Sequence, residues 1–360
     1  MKYLIIDNLI LILLVVGIIL LLNNHSKIGN KNLSYFKYVV ILIIIQIIAD
    51  TLEGYYATFN HVTTYRYITA VIGYIVRPFI IYALIWGVNS NKKSRKLLLI
   101  PGIINALLYT SSIFTGLVFS YSSNNIFIRG PLGYTVHTIS LLYFIIFIYY
   151  LSLSYNRVRK EEKIFLLTTI SFPFAAVLVE TLDLSSVNNV LNYAILISVL
   201  FFYIFVYIYY SRRDTLTGLF NRQAFYEDLK SFDNDITSVF SIDMNGLKVI
   251  NDTYGHNAGD IALVSISNAF SNVISEKVYV YRLGGDEFSI LCRNMNKKEV
   301  ERFNNSLIEE IATTDYTCSI GYTYRKKNEP IDTLYKTADN KMYRSKSHYY
   351  ASKQSRRREK

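Results

Sequence analysis

Two short acidic segments contain the residues of this chain that could do metal chemistry. In the first, over 241–248, Asp243 follows an apolar run that has the composition of a strand. In the second, over 282–288, Asp286 and Glu287 follow two glycines, which let the backbone make a tight hairpin. Carboxylate oxygens are the ligands that magnesium prefers. Two such acids on neighbouring strands have the layout of a two-metal centre for nucleotidyl transfer.

Three further motifs accompany these segments. They read Asp-Thr-Leu-Thr-Gly-Leu-Phe-Asn-Arg over 214–222, Asn-Asp-Thr-Tyr-Gly-His-Asn-Ala-Gly-Asp over 251–260, and Ala-Asp at 338–339 with Tyr343 and Lys346. One Gly-Gly-Asp-Glu sequence is weak evidence, but five motifs in order at a family's spacing are strong. Residues from about 212 to 348 resemble a GGDEF domain of the diguanylate cyclase family, which condenses two GTP into cyclic di-GMP.

The resemblance implies a metal centre and a catalytic group. Asp243, Asp286 and the backbone carbonyl of Met244 would hold two Mg²⁺ ions per active site, with Mn²⁺ as an alternative ion. Glu287 would assist the attacking 3′-hydroxyl, as a base or as a partner of the metal ligands, while Asp286 and Lys248 complete the catalytic set. Solvated turn acids are the alternative for the two aspartates.

The resemblance also implies how GTP is bound. The amides of Gly246 and Leu247, with the ammonium groups of Lys248 and Lys346, would hold the phosphates. Asn251 and Asp260 would read guanine, because Asp accepts from the ring N–H and amino group while Asn serves the other edge. The alternative is a helix-capping Asn251 and a first-turn Asp260.

Two other residues of these motifs, His256 and Arg282, have no assigned role in binding GTP or metal. His256 is expected to be structural and partly buried rather than catalytic. Arg282 is open between a structural strand residue and a contact to the active site or to a dimer partner.

The chain departs from the family in two places. The family has a phosphate-binding arginine after its last helix, and Tyr350 stands at that position here. The product-binding inhibitory motif, an arginine with an aspartate three residues later, is replaced by Ser275, Glu276, Lys277 and Val278.

The first part of the chain is apolar and basic. Fifteen of the Lys and Arg residues and seven of the Asp and Glu residues precede residue 212. Seven apolar runs are long enough to cross a bilayer, near 4–22, 38–57, 67–87, 97–119, 133–151, 164–182 and 190–210. Lys and Arg concentrate in alternate connections, so we expect a bacterial membrane protein with its amino terminus outside and the GGDEF region in the cytoplasm. The basic surplus belongs to these loops rather than to a nucleic-acid site.

Ionisable residues within the apolar runs suggest a sensing function. Asp50 and Glu53 share one helix face, and Arg66 and Arg77 return to nearly one face. All four are expected toward the outer half of the membrane, which Glu180 and Asp183 also approach. They indicate either an outward-facing pocket for a small polar or charged signal, or ion pairs that hold the bundle together. His137 is expected to pack.

The predicted architecture is an all-α seven-helix transmembrane sensor domain over 1–211, an α+β GGDEF domain over 212–348 and a frayed basic tail over 349–360. The GGDEF domain should resemble the palm domains of polymerases and adenylate cyclases, with mixed strands and helices on one face. The leading function is a membrane-bound, homodimeric diguanylate cyclase that takes GTP and is controlled by an unknown signal. A catalytically weak GGDEF domain that binds GTP as a regulator is the alternative, and a transporter or receptor is disfavoured.

Overall fold

The computed structural model describes residues 2–25, 34–89, 91–155, 160–181 and 190–358. The chain forms two compact units, Met1–Tyr207 and Ile208–Lys360. Four basic residues of the predicted cytoplasmic loops lie outside the described residues: Lys27, Lys31, Arg157 and Arg159. Asp183 also lies outside them. The orientation in the membrane stays a prediction.

The first unit is built from helices. In the described part of the chain they are α1 (Lys2–His25), α2 (Tyr35–Ala57), α3 (Thr64–Val88), α4 (Lys92–Thr115), α5 (Thr135–Ser154), α6 (Lys160–Thr181) and α7 (Val190–Ser211). Five of them, α2, α3, α4, α5 and α7, are long and apolar enough to cross a membrane. The apolar stretches of α1 and α6 are shorter, over Leu9–Asn23 and Ile164–Pro173. The seven-span count accordingly stays a prediction.

A β-hairpin between α4 and α5 was not predicted. Strand β1 (Phe119–Tyr121) pairs with β2 (Phe127–Arg129) in antiparallel register. The sequence predicts a fourth span that extends to residue 119. Helix α4 ends earlier, at Thr115, because Gly116 adopts a left-handed backbone conformation with φ of 62°. Apolar composition alone does not show where a helix ends when aromatic strand residues follow it directly.

The ionisable residues of the first unit form ion pairs. Arg77 lies 3.5 Å from Asp50, and Arg66 lies 2.9 Å from Glu53. The carboxylate of Asp50 also accepts hydrogen bonds from Gln46 and Asn192, at 2.8 and 2.9 Å. The ion pairs of the structural alternative are therefore present.

The second unit is an α+β domain. Its elements are α8 (Arg222–Ser231), β3 (Ile236–Met244), α9 (Leu247–Tyr254), α10 (His256–Asn272), β4 (Val278–Gly284), β5 (Glu287–Arg293), α11 (Lys297–Ala312), β6 (Cys318–Tyr324) and α12 (Ile331–Arg358). The sheet has the order β4-β5-β3-β6, and each neighbouring pair is antiparallel. The prediction of mixed strands was wrong. Strand β3 lies between β5 and β6, both of which follow it in the chain, and it runs antiparallel to each of them.

Helices cover both faces of this sheet, so the expectation of helices on one face was also wrong. Phe240 and Ile242 of β3 pack with residues of α10 and α11, whereas Val239 packs with residues of α8 and α12. Strand β3 is buried along almost its whole length. A continuous apolar run, rather than strict alternation, is what a strand covered on both faces requires.

Helix α12 is longer than predicted. It continues through residue 348 to Arg358, so the segment expected as a frayed tail is helical over 349–358. The predicted boundary at 348 has no counterpart in the secondary structure, because no glycine or proline interrupts the helix there.

Candidate active site

Two neighbouring strands bring the predicted metal ligands to one end of the sheet. Asp243, near the end of β3, pairs in register with Glu287, the first residue of β5. Asp286 lies in the turn before β5, and its carbonyl accepts a hydrogen bond from the Met244 amide at 2.9 Å. Gly284 and Gly285 make this turn with φ values of 150° and 51°, which side chains disfavour.

The Asp243 carboxylate is buried and half-satisfied. Its side chain is 4% exposed, Oδ2 accepts a hydrogen bond from Lys346 Nζ at 2.7 Å, and Oδ1 has no hydrogen-bond partner. Burial raises the pKa of Asp243, and the charge of Asp286 raises it further, although the contact with Lys346 acts the other way. A buried carboxylate with one free oxygen and a second carboxylate nearby fits a divalent cation.

Side chains would supply only part of a metal coordination sphere. Among the described residues, no three side chains of His, Cys, Asp or Glu converge on one point. The protein ligands would thus be Asp243, Asp286 and the Met244 carbonyl, and the remaining positions suit phosphate oxygens and water. Magnesium commonly binds in this way, through one or two carboxylates and substrate phosphates.

The start of α9 is suited to bind phosphate. Gly246 precedes the helix with φ of 79°, and the first amides of a helix lack partners within it. Leu247 is buried and anchors the turn in the core, while Lys248 is exposed. From α12, Lys346 reaches the same end of the sheet through its hydrogen bond to Asp243. Burial opposes the protonation of Lys346, but contact with Asp243 and Asp286 outweighs it and raises the lysine pKa.

The two predicted guanine readers lie on consecutive helices. Asn251 is in α9, and its Oδ1 is buried without a hydrogen-bond partner; Asp260 is exposed on α10. Neither has the alternative role. Helix α10 begins after Gly255 without a side-chain cap, and no acidic residue lies in its first turn. His256, expected to be partly buried, is exposed because it is the first residue of α10.

Gly259 leaves the space that the Asn251 side chain occupies, which the motif alone did not reveal. A Cβ atom at residue 259 would lie 1.9 Å from Asn251 Oδ1 and 3.3 Å from Leu247 Cδ1. The asparagine side chain can keep its position only because residue 259 has no side chain.

Replacing Gly259 by alanine should therefore weaken GTP binding without unfolding the domain. Helix propensity alone favours alanine by about 1 kcal/mol, but Asn251 must rotate away from the new methyl group. Losing one hydrogen bond to the base should raise the KM for GTP about tenfold. Steady-state kinetics of Gly259→Ala beside Asn257→Ala, an exposed position in the same turn, would measure this. An unchanged KM would contradict the positioning role.

Arg282 supports the turn that carries Asp286. Its Nε and Nη2 donate to the Gly285 carbonyl at 3.1 and 2.8 Å, and Nη1 lies 3.0 Å from Asp214 Oδ1. The sequence left the role of Arg282 open; within this chain it is a positioning residue for the turn. Asp214 also accepts from the amide and hydroxyl of Thr217, at 2.9 and 2.7 Å.

Asp214 should make domain stability depend on pH. Burial opposes its ionisation, but the hydrogen bonds from Thr217 and Arg282 outweigh burial and lower its pKa. A carboxyl whose folded pKa is depressed stabilises the fold above its ordinary pKa, and that contribution is lost as pH falls through the folded pKa. Urea unfolding from about pH 6 to about pH 3 should show a shallower loss for Asp214→Asn than for the native domain. Asp315→Asn, at an exposed acid, should behave as the native domain; equal slopes for all three would contradict the assignment.

A second buried carboxylate was missed by the sequence analysis. Asp228 is 2% exposed and accepts from the Tyr281 hydroxyl at 2.8 Å and from Arg212 Nη2 at 2.7 Å. Arg212 is the residue that follows α7, and Tyr281 is in β4, beside Arg282. This contact ties the start of the domain to the strand that leads into the Gly284–Gly285 turn. Sequence alone gives no signal for it beyond the single acid on the apolar face of α8.

The second unit is similar in sequence to known proteins. The family described as "Diguanylate cyclase, GGDEF domain" matches residues 211–350. Diguanylate cyclase DgcM of Escherichia coli (strain K12) is 30% identical over 150 residues, 38% of this chain and 36% of that protein. Probable diguanylate cyclase DgcJ of the same organism is 32% identical over 143 residues, 37% of this chain and 29% of that protein.

Among solved structures, the coiled coil and GGDEF domain of DgcB from Caulobacter crescentus, in complex with c-di-GMP, aligns with a TM-score of 0.39 at 22% identity. The alignment covers 41% of this chain and 87% of that one. The chain spans about a third of the length of the curated relatives that it matches. The predicted family is confirmed for the second unit: residues 211–350 of this chain are a GGDEF domain.

Proposed function

We propose that this chain is a membrane-bound diguanylate cyclase that condenses two GTP into cyclic di-GMP under control of a signal sensed by its helical region. The observation that carries the proposal is the Asp243 site. A buried carboxylate keeps one oxygen without a partner while a second carboxylate and Lys346 lie beside it. The names of the diguanylate cyclase relatives support the same chemistry.

The proposed reaction joins two nucleotides head to tail. Each GTP 3′-oxygen attacks the α-phosphorus of the other GTP, the bond from that phosphorus to the oxygen bridging to the β-phosphate breaks, and pyrophosphate leaves. Each of the two attacks thus forms one new phosphodiester linkage and releases one pyrophosphate, and the second attack closes the ring. Bound Mg²⁺ would neutralise phosphate charge and orient the α-phosphate, with Mn²⁺ as an alternative ion.

The chain's own residues bind the substrate and manage its proton. Asp243, Asp286 and the Met244 carbonyl would hold the ions, while the exposed Glu287 takes the proton of the 3′-hydroxyl or orients a metal ligand. The amides at the start of α9, with Lys248 and Lys346, would bind the triphosphate. Asn251 and Asp260 would read guanine by hydrogen bonds, the buried free Oδ1 of Asn251 accepting one of them.

One GGDEF domain supplies one half of this reaction. A single metal centre and a single guanine site bind one GTP, so catalysis requires a homodimer that opposes two such sites. In the described part of the chain, five helices long and apolar enough to cross a membrane precede the domain. We place these helices in a bacterial cell membrane, with the amino terminus outside and the GGDEF domain in the cytoplasm.

A forced-dimer experiment tests this proposal. The compact unit Ile208–Lys360 would be fused to a parallel coiled coil, and the unfused unit would serve as the monomer. The dimer should convert GTP to cyclic di-GMP with Mg²⁺, whereas the monomer and the dimer carrying Asp286→Ala should not. Equal rates per domain for monomer and dimer would contradict the half-site arrangement.

A catalytically weak domain that binds GTP as a regulator is the second candidate. It is favoured by Tyr350, which is exposed on α12 where the family has a phosphate-binding arginine. If this candidate is correct, the forced dimer binds GTP and forms no cyclic di-GMP. Restored turnover in Tyr350→Arg would then identify the missing cation as the cause.

We expect little product inhibition. Ser275 lacks the cation and Val278, which is buried, lacks the acceptor of the family's inhibitory motif, and Lys277 is engaged with Glu299 at 3.1 Å. Arginine and aspartate bind guanine and phosphate edges through charge-assisted hydrogen bonds that these residues cannot make. Initial rates at saturating GTP should stay flat as cyclic di-GMP is added to high micromolar concentration. Non-competitive inhibition below micromolar concentration would overturn this expectation.

A further inference from the structure

A large cavity lies among the helices of the first unit. Its volume is about 660 Å³, and residues of α2, α3, α5, α6, α7 and β2 line it. Pockets of roughly 300–1,000 Å³ hold small organic ligands. The cavity is therefore large enough for a ligand of that class.

The polarity of the cavity wall changes along its length. On α3, Tyr74 and Arg77 line the cavity first, and the apolar Ile80, Ile81 and Leu84 follow toward the end of the helix. Going from residue 77 to residue 84 advances about 10 Å along a helix at 1.5 Å per residue. The α3 wall is thus polar at one end and apolar at the other.

Helix α5 repeats this arrangement. His137, in its first turn, lines the cavity, and Leu141, Phe144 and Phe147 line it farther along. The rise from residue 137 to residue 147 is about 15 Å. The charges of Arg77 and Arg129 both act on His137, so the polar residues of α3, α5 and β2 meet at one end.

Among the described residues of the polar end, Arg129 is the cation without a carboxylate partner. Arg77 pairs with Asp50, and Arg66 pairs with Glu53. Arg129 donates to the Gly133 carbonyl at 3.0 Å and lies 4.5 Å from the Tyr134 ring centroid. In the described part of the chain, no carboxylate lies within ion-pair distance of Arg129.

His137 offers a second group to a ligand at this end. Its Nδ1 atom is buried and has no hydrogen-bond partner among the described residues. A buried ring nitrogen without a partner costs free energy unless a ligand or water binds it, so Nδ1 of His137 is available to a ligand in the cavity.

We propose that this cavity binds an amphiphile with a singly charged anionic headgroup, such as a carboxylate, and an unbranched apolar tail of about 10–15 Å. The headgroup pairs with Arg129 and accepts a hydrogen bond from His137. The tail lies between α3 and α5, against Leu84 and Phe147. That this ligand is the signal for cyclic di-GMP synthesis rests on the proposed function; that it binds does not.

Helix α7 forms one wall of the cavity, which gives the ligand a route to the rest of the chain. Leu191, Ile195, Ser198 and Phe202 recur at helical spacing along this wall. The polar end also contacts α7, since Asn192 donates to Asp50, the partner of Arg77. A ligand bound at the polar end therefore lies beside contacts made by α7, the helix that ends at Ser211, where the GGDEF domain begins.

Binding is tested on the full chain in phosphatidylcholine nanodiscs, without nucleotide. The probe is radiolabelled dodecanoate in equilibrium dialysis, with empty nanodiscs subtracted. Dodecanol tests the tail without the charge, dodecyltrimethylammonium tests the opposite charge, and acetate tests the headgroup alone. We expect saturable dodecanoate binding that none of these three displaces at equal concentration.

Matched variants locate the site. Arg129→Gln should raise the Kd for dodecanoate about tenfold or more, because a charge-assisted contact is lost, and Arg129→Lys should retain most of the affinity. Ser140→Phe fills the cavity and should abolish binding, whereas Thr138→Phe, at an exposed position of the same helix, should not. Size-exclusion profiles and melting temperatures exclude misfolding as the cause.

The outcomes separate the ligand source from the proposal itself. If phosphatidylglycerol added to the nanodisc competes with dodecanoate, the anionic amphiphile is a membrane lipid. If it does not compete, the amphiphile is a free fatty acid. Either result supports the site. The proposal is overturned if dodecanol binds as well as dodecanoate, if binding is not saturable, or if Arg129→Gln and Ser140→Phe bind as the native chain does. Binding without any effect on GTP turnover would count against the sensing role alone.

Discussion

Asp286→Asn is expected to reduce cyclic di-GMP synthesis by about a thousandfold or more while the domain stays folded. A metal carboxylate contributes several kcal/mol of charge stabilisation in the transition state, and each 1.36 kcal/mol is about tenfold in rate. Among the described residues, no side chain forms a hydrogen bond with the Asp286 carboxylate, which lies in the turn before β5. Its loss should therefore leave the core unchanged.

Asp243→Asn should be equally inactive, although its effect on the fold differs. Asp243 is buried, and its carboxylate accepts a hydrogen bond from Lys346. An asparagine at position 243 would leave the Lys346 ammonium group without a carboxylate partner. The lysine side chain is 30% exposed and can be solvated, which limits the loss of stability. Asp315→Asn, at an exposed acid outside the site, is the matched control. Turnover near the native rate in either site variant, with circular dichroism showing a native fold, would disprove the metal assignment.

Asp260→Ala is expected to lower the preference for GTP over ATP as well as the rate. A carboxylate that accepts hydrogen bonds from the guanine ring and amino group rejects adenine, which presents an acceptor where guanine presents a ring donor. Losing a hydrogen bond to a charged group costs about 1.5–3 kcal/mol, so discrimination should fall about tenfold to a hundredfold. The ratio of kcat/KM for GTP to that for ATP, measured in competition, gives this value directly.

Asn268→Ala is the control for this experiment. Asn268 is also exposed and polar and lies farther along the same helix, α10. It should keep the native ratio for GTP over ATP. If Asp260→Ala keeps it too, another residue reads the base.

The sequence predicted the positions of the motif residues better than it predicted the layers of the fold. The spacing of the motifs placed Asp243 near a strand end and Asp286 after a glycine turn, and the register of β3 with β5 brings them together. The motif residues contact one another within a turn or across one strand pair, so their spacing in the sequence predicts that they lie together. Arg282 was left open because its partners, Asp214 and Gly285, depend on how a distant loop returns to the turn.

The layer arrangement could not be read from the same residues. A buried run such as 239–242 is apolar whether one helix layer or two cover the strand, so the second layer of α8 and α12 was missed. The β1–β2 hairpin was missed for a related reason. Its strands are only three residues long each, and aromatic residues such as Phe119 and Phe127 in them also occur in the adjacent helices, so they give little sequence signal for a strand.

The cavity of the first unit was anticipated only in part. Asp50, Glu53, Arg66 and Arg77 were expected to form either ion pairs or an outward-facing pocket for a signal. The structure contains the ion pairs, and Glu53 and Arg77 also line the cavity. Arg129 and His137 were not assigned to it, because their approach to Arg77 depends on the hairpin and on the start of α5.

The central claim is that this chain makes cyclic di-GMP from GTP, and product analysis of the full chain tests it most directly. The purified chain in nanodiscs would be incubated with GTP and Mg²⁺, and products would be quantified by mass spectrometry and a pyrophosphate assay, beside Asp286→Ala. We predict cyclic di-GMP with two pyrophosphates for each molecule formed, and neither product from the variant. Bound GTP that remains intact, or equal product from the variant, would contradict the claim.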